Sequence, residues 1–369
     1  MDKDYNIIFC CDDNYVKYCA VCMQSLAESC LKTSCIKANR GGQNELKEQN
    51  LLRTIPNANP QNHPLHFHLI ADTLKPATIK KLQILESNLN KIYPSKFSIH
   101  YLSQDYFKSL ASWGINGENY CAYFRLKIGD LVACEKALYL DSDTMCLSDV
   151  REFFTLDLEG KPIAMVKNAT ICNGIVNNKA MFDYKTYCNS GVMLFDMQGY
   201  KSKNMSEIFD LKLFDQDFLN YIFKDNIKIL PFRYNFVWID WRRLDFESIS
   251  TEKRYKNGFS ISSSAFSRQE IKEAMENPAI VHFCASYKPW EKVDWNYSGL
   301  LGKPTFIKNP FDKAWWQFAR KTPFYGEILR KYLAVSIKQS IYSYAHAYTP
   351  KGIWEILRNA KRAIKNCLR

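Results

Sequence analysis

The stretch "ALYLDSDTMC", residues 137–146, decides the fold: an apolar run ends on two carboxylates, Asp141 and Asp143, separated only by Ser142. A short apolar run bounded by a polar turn reads as a buried strand. Carboxylates one residue apart where that strand ends can both reach a single hard cation, and oxygen ligands favour magnesium or manganese over zinc. Such an ion keeps open positions for substrate phosphates, so the pattern points to a metal bridging protein and diphosphate. Taken alone, a DxD also fits a solvated turn or a cap.

Upstream, "YNIIFCCDD" reads as a first buried strand, followed by a helix over residues 15–27 in which Val16, Cys19, Ala20, Met23 and Leu26 keep helical spacing. A strand in "LHFHLIAD", a helix over 76–89, a strand "FSIHYL" and a helix over 123–133 continue the alternation. This alternation predicts an α/β domain with a parallel, doubly wound sheet, in which ligands gather at the carboxyl ends of the strands. Asp12 and Asp13 close the first strand, so both acidic pairs are expected to face one crevice. The same two residues also suit capping of the following helix. Residues 31–64, with "NRGGQNELKEQN" and "NANPQNHP", read as a polar insertion.

The chain has 369 residues, 47% apolar and 24% charged, which describes a globular protein with a substantial core. No charge-free apolar run reaches 18 residues, and "MDKDYNIIFCCDD" carries acids where a signal peptide needs a basic start, so neither secretion nor a membrane span is expected. Thirteen scattered cysteines, an odd number in mostly apolar segments, predict buried reduced thiols and a cytoplasmic location. The CxxC of Cys19 and Cys22 has no second pair at zinc-ribbon spacing and falls on the predicted helix. Of the net charge of +12, residues 301–369 hold 14 Lys/Arg against 3 Asp/Glu. A neutral body with a basic tail points to an anionic surface met by the C-terminus.

Five blocks in order, "DDNYVKYCAVCMQSL", "YFRLKIGDLVACEKALYLDSDT", "YCNSGVMLFDM", "DQDFLN" and "IVHFCASYKPW", resemble the retaining glycosyltransferases of family 8, especially the bacterial lipopolysaccharide glucosyl- and galactosyltransferases. The resemblance covers residues 5–295. It implies a GT-A, Rossmann-like nucleotide-sugar transferase fold with a mainly helical C-terminal tail, a UDP-sugar donor and a manganese or magnesium ion. Carried over position by position, it puts Asp12 on the uracil and Asn14 on the ribose, with the strand end at Cys10 supplying backbone contacts. A carboxylate there would accept from the single N–H on uracil's pairing edge.

The resemblance further implies that Asp141, Asp143 and His282 hold the metal, with Ser142 in the same donor-binding turn and Lys288 on the diphosphate. Arg125 matches an arginine near the sugar, Asn189 and Asp215 match residues gripping sugar hydroxyls, and Gln216 matches the residue beneath the anomeric carbon. Retention then follows either same-face attack, with the departing phosphate taking the acceptor's proton, or double displacement. Gln216 is a poor nucleophile and Asp217 the other candidate, so same-face attack is expected. Two departures stand out: Ala285 where relatives often carry glycine, and the length of the 31–64 insertion.

The expected organisation is a catalytic domain over residues 1–298 and a basic, aromatic, helical region over 299–369. In the latter Ile353, Leu357, Ala360, Ile364 and Leu368 fall on one helical face, with Arg358, Lys361, Arg362, Lys365 and Arg369 around it. Such a helix suits an anionic inner-leaflet surface, giving a peripheral enzyme on the inner face of the cytoplasmic membrane that acts on lipopolysaccharide or another lipid-linked oligosaccharide. A helix packed on the catalytic domain is the alternative. No nucleic-acid module is recognisable, and no nucleic-acid partner is expected. Two other functions compete: a DxD phosphoester hydrolase, whose DxDxT pattern is absent here, and a non-catalytic membrane-bound scaffold of the same fold.

Overall fold

Alternate residues of the central strands point to opposite faces, and both faces carry apolar side chains. Ile7 and Phe9, Leu138 and Leu140, and Val192 and Leu194 enter one buried cluster. Ile8 and Cys10, Ala137 and Tyr139, and Met193 and Phe195 enter a second. A sheet with apolar residues on both faces must be covered on both, which gives three layers. The computed structural model describes residues 4–31, 63–112, 119–168, 170–173, 186–237, 253–254, 260–264, 266–284, 288–291, 295–296, 305–306 and 309–348.

The main sheet has seven strands in the order Ser95–Tyr101, Leu65–Ala71, Tyr5–Cys10, Lys136–Leu140, Cys188–Asp196, Ile163–Lys167 and Ile227–Leu230. The first four are parallel, as the alternating pattern predicts. Cys188–Asp196 runs antiparallel to both its neighbours, so the sheet is mixed rather than wholly parallel. Pairing of Ile8 with Tyr139 brings the carboxyl ends of the first strand and of the DxD strand side by side. The expected helices appear at Val16–Ser29 and Pro76–Leu89. The expected 123–133 helix is instead a 3-10 helix at Cys121–Lys127 followed by one α-turn at Ile128–Leu131, an arrangement that turns Arg125 inward.

A small sheet crosses the end of the large one. Thr144–Cys146 pairs antiparallel with Ile280–His282, setting His282 opposite Thr144, and Phe236–Val237 pairs on the other side. The backbone N–H of Phe283 donates to the Asp143 carbonyl at 2.8 Å, which locks the two segments in register.

The C-terminal region begins as core. Within the Asp312–Ala319 helix Trp315 and Phe318 are buried, and Phe324 and Ile328 join the same cluster. Trp315 lies 4.9 Å from Trp290, which stacks on Tyr18 at 4.0 Å. Lys321 pairs with Glu28 and Lys81 with Glu327. Further along the Tyr325–Tyr348 helix Leu333 and Ile337 are exposed. Ala285, positions 32–62 of the insertion and the 353–368 apolar stripe lie outside the described residues.

Candidate active site

Asp141 leaves the DxD strand with its backbone N–H donating to the Gly191 carbonyl at 2.8 Å, so the antiparallel Cys188–Asp196 strand fixes where the carboxylate starts. Its Oδ1 accepts from Arg125 Nη2 at 2.9 Å and from the Tyr139 hydroxyl at 2.7 Å. Asp143 is buried, and its Oδ2 accepts from Lys288 Nζ. Each carboxylate thus spends one oxygen on a cation and keeps the other. The remaining oxygens converge on the His282 ring: Nε2 lies 3.7 Å from Asp141 Oδ2 and 3.3 Å from Asp143 Oδ1.

These three residues form the one group of metal-ligating side chains found among the described residues, with donor atoms within 4.8 Å of one another. Two carboxylate oxygens and an imidazole nitrogen, with phosphate oxygens to complete the shell, suit manganese or magnesium. Burial alone would raise the Asp143 carboxyl, but the neighbouring His282 and Lys288 outweigh it and hold the group well below the usual carboxylate range. The same pairing holds Lys288 charged against the desolvation that would lower it. The site therefore keeps an ionised ligand and a cation side by side where most of the water is excluded.

Arg125 ties this group to the sugar-side residues. It is buried, its Nε lies 3.2 Å from Asp215 Oδ2, and its Nη1 donates to the Ser190 carbonyl and hydroxyl, each at 2.8 Å. Burial raises the Asp215 carboxyl even beside that guanidinium. Gln216 Oε1 accepts from Asn189 Nδ2 at 3.2 Å and from the Ser190 N–H at 3.1 Å. Asp217 Oδ1 accepts from the Tyr187 hydroxyl. Asp215, Gln216 and Asp217 open the Asp215–Phe223 helix, whose first-turn amides favour acceptors and negative charge.

Of the expected site residues, Arg125, Asp141, Asp143, Asn189, Asp215, Gln216, Asp217, His282 and Lys288 come together in this network. Ser142 sits half-buried between the two carboxylates. The Cys10 thiol is close enough to Arg125 and Asp141 to feel their charges. Asp12 accepts the Tyr15 N–H at 2.9 Å and so closes the turn leading into the Val16–Ser29 helix, whose N-cap Tyr15 has no side-chain cap, and Asn14 beside it is exposed. Asp13 departs from the expectation of a shared crevice: its Oδ1 accepts the Lys75 N–H at 2.9 Å, which turns it to the second strand's end.

Sequence reasoning missed Gly191, Asn235, Tyr187 and Tyr139. A methyl group on Gly191 would overlap His282 Cε1 and come within 2.8 Å of its Nδ1 and 2.9 Å of Asp141 Oδ2. A lone glycine inside an apolar strand is a readable sign of such close approach. Asn235 and Tyr187 act through hydrogen bonds to residues far along the chain, which carry no local signal, whereas Tyr139 reaches Asp141 only two residues on, from within the DxD strand.

The open α/β sheet, with an acidic pair and a histidine at its strand ends, has the fold of the GT-A glycosyltransferases. The galactosyltransferase LgtC, solved in complex with donor and acceptor sugar analogues, shares this fold with a TM-score of 0.54 at 17% identity, covering 86% of this chain and 96% of that one. General stress protein A of Bacillus subtilis (strain 168) is 26% identical over 303 residues, 78% of this chain and 88% of the relative. A lipopolysaccharide 1,2-glucosyltransferase of Escherichia coli is 25% identical over 285 residues, 70% and 72% of the two chains. The model of glycosyl transferase family 8 matches residues 6–294, and the chain belongs to that family.

Proposed function

We propose that this glycosyltransferase is a retaining, metal-dependent hexosyltransferase that moves glucose or galactose from UDP-glucose or UDP-galactose onto the oligosaccharide of lipopolysaccharide or another lipid-linked acceptor. The observation that carries the reading is the convergence of Asp141 Oδ2, Asp143 Oδ1 and His282 Nε2. A bound Mn2+ or Mg2+ would supply Lewis-acid stabilisation of the departing diphosphate. Lys288, held charged by Asp143, adds a fixed positive charge for the same leaving group. Asp12 takes the uracil N–H through its second oxygen, Asn14 the ribose, and the backbone at Cys10 and Ser142 the rest of the nucleotide.

On the sugar side Arg125, Asn189 and Asp215 hold hydroxyls, and Gln216 lies beneath the anomeric carbon. Same-face attack is favoured over a protein nucleophile because the amide of Gln216 is a poor nucleophile and each candidate has one atom engaged already. Gln216 Oε1 receives both Asn189 and Ser190, Asp215 faces Arg125, and Asp217 accepts from Tyr187. The departing phosphate then accepts the acceptor's proton.

Docking of the 299–369 region on an anionic inner leaflet is supported by Leu333 and Ile337, exposed and four residues apart beside Arg330, Lys331 and Lys338. No helix among the described residues is long and apolar enough to cross a membrane. The test of the whole reading is transfer from a panel of UDP-sugars to truncated lipopolysaccharide, with the product anomer read by NMR. Transfer of glucose or galactose with retained configuration is expected. Inversion, or transfer from another sugar nucleotide alone, contradicts it.

A further inference from the structure

Two backbone amides decide the direction of a chain of hydrogen bonds through the site. Gly191 N–H donates to Asn189 at 2.9 Å, and Ser190 N–H donates to Gln216 at 3.1 Å. A backbone N–H only donates, so the atoms it meets are the carbonyl oxygens, Asn189 Oδ1 and Gln216 Oε1. Asn189 must then reach Gln216 Oε1 with its Nδ2, at 3.2 Å.

Asn235 meets the same Asn189 Oδ1 at 2.8 Å, and only its Nδ2 can donate there. Its remaining atom, Oδ1, faces His282 Nδ1 at 2.9 Å. An amide oxygen only accepts, so His282 Nδ1 carries a proton. In the neutral ring the lone pair then sits on Nε2, the nitrogen turned toward Asp143 Oδ1 and Asp141 Oδ2. At the far end Gln216 Nε2 donates to the Tyr187 hydroxyl at 3.1 Å, which donates to Asp217. Every donor from His282 to Asp217 points the same way.

We infer that Asn235 is a positioning residue that holds His282 as its Nδ1–H tautomer, aims Nε2 at the two aspartates, and couples that ligand through Asn189 to Gln216. Asn235, Asn189 and His282 are 1%, 8% and 3% exposed, so little water is at hand to replace a lost partner. Outer-shell partners of this kind fix both the tautomer and the ring plane of a histidine ligand. The inference rests on the metal reading of Asp141, Asp143 and His282, and it adds that the metal ligand and the residue under the sugar respond to one another.

The tautomer is measured on the unsubstituted, metal-free full chain by two-bond 1H–15N correlation of the imidazoles at alkaline pH, with His282 assigned by its loss in His282→Gln. A neutral Nδ1–H ring is expected; a neutral Nε2–H ring overturns the inference and needs no variant to fold. Mn2+ affinity is then titrated by electron paramagnetic resonance in Asn235→Ala and Asn235→Asp, each checked for native circular dichroism. Asn235→Ala is expected to lose about 10–100-fold in affinity and to switch the ring to Nε2–H. Asn235→Asp still accepts from Nδ1 but cannot donate to Asn189, so it should bind Mn2+ more tightly than Asn235→Ala while raising KM for the donor sugar. Unchanged affinity in folded Asn235→Ala overturns the inference alone; absence of Mn2+ binding in the unsubstituted protein overturns the metal reading beneath it.

Discussion

Gly191 and His282 share space that only a residue without a side chain leaves open: a methyl group on Gly191 would overlap the imidazole at Cε1 and press on Nδ1 at 2.8 Å. The strand that pairs with the end of the DxD segment must therefore be bare at that one position. Gly191→Ala is predicted to displace the His282 ring and to weaken Mn2+ binding by at least about tenfold, at the level of losing an outer-shell partner. The overpacking should cost about 1–3 kcal/mol of stability. Titration of Mn2+ and urea unfolding measure the two effects, and a variant that binds Mn2+ normally contradicts the packing argument.

Arg125 has two carboxylates to neutralise, Asp141 at 2.9 Å and Asp215 at 3.2 Å, and is itself buried. Removing it in Arg125→Ala leaves both charges short of a partner, a loss of about 3–5 kcal/mol for a broken buried pair. Arg125→Lys should recover little, because one ammonium cannot reach Asp141, Asp215 and Ser190 as the planar fork does. Denaturant midpoints of the two variants decide this; near-complete rescue by lysine would show that charge alone matters.

Burial pushes the Cys22, Cys30 and Cys188 thiols up to about 12. A thiol whose folded value is raised contributes stability that is fully present below the unfolded value of about 8.5 and is lost as pH rises through the folded value. Stability is therefore predicted to fall between about pH 8.5 and pH 12, and these cysteines should resist alkylation at pH 8 in the folded protein. Mass spectrometry after brief iodoacetamide treatment reads the second effect. Rapid labelling of all three under native conditions would contradict it.

Trp315 joins the C-terminal region to the Lys288 segment through Trp290 and Tyr18. Trp315→Ala is predicted to destabilise the whole domain by about 3–5 kcal/mol. A chain ending after Tyr332 keeps those contacts and should unfold at a similar midpoint. If the membrane proposal holds, that shortened chain floats less with anionic liposomes than the full chain. Equal flotation of the two would remove the membrane role from the tail.

Much of this arrangement is legible in the chain itself. The apolar run before Asp141, the helical spacing from Val16 to Leu26 and the proline opening the Pro76–Leu89 helix all reflect local physics, and the strands and helices follow. Cys188–Asp196 is buried along nearly its whole length, and a strand covered on both faces carries no pattern that fixes its direction. The helix expected over 123–133 starts as a 3-10 turn because Arg125 must reach Asp141, Asp215 and Ser190, a tertiary demand invisible to local periodicity. Asp141, Asp143 and His282 are recognisable from their blocks. Asn235 is not, because its role consists of contacts 46 and 47 residues away along the chain.

The most direct test of the central claim is release of UDP from UDP-glucose and UDP-galactose by the full chain, with and without Mn2+, in the unsubstituted protein and in Asp143→Asn. Turnover of at least one donor that requires the metal and falls by about 100-fold or more in Asp143→Asn is predicted, the scale on which losing preorganised electrostatic stabilisation slows a reaction. Turnover that persists without metal and is untouched by Asp143→Asn, or no release from either donor, would contradict it.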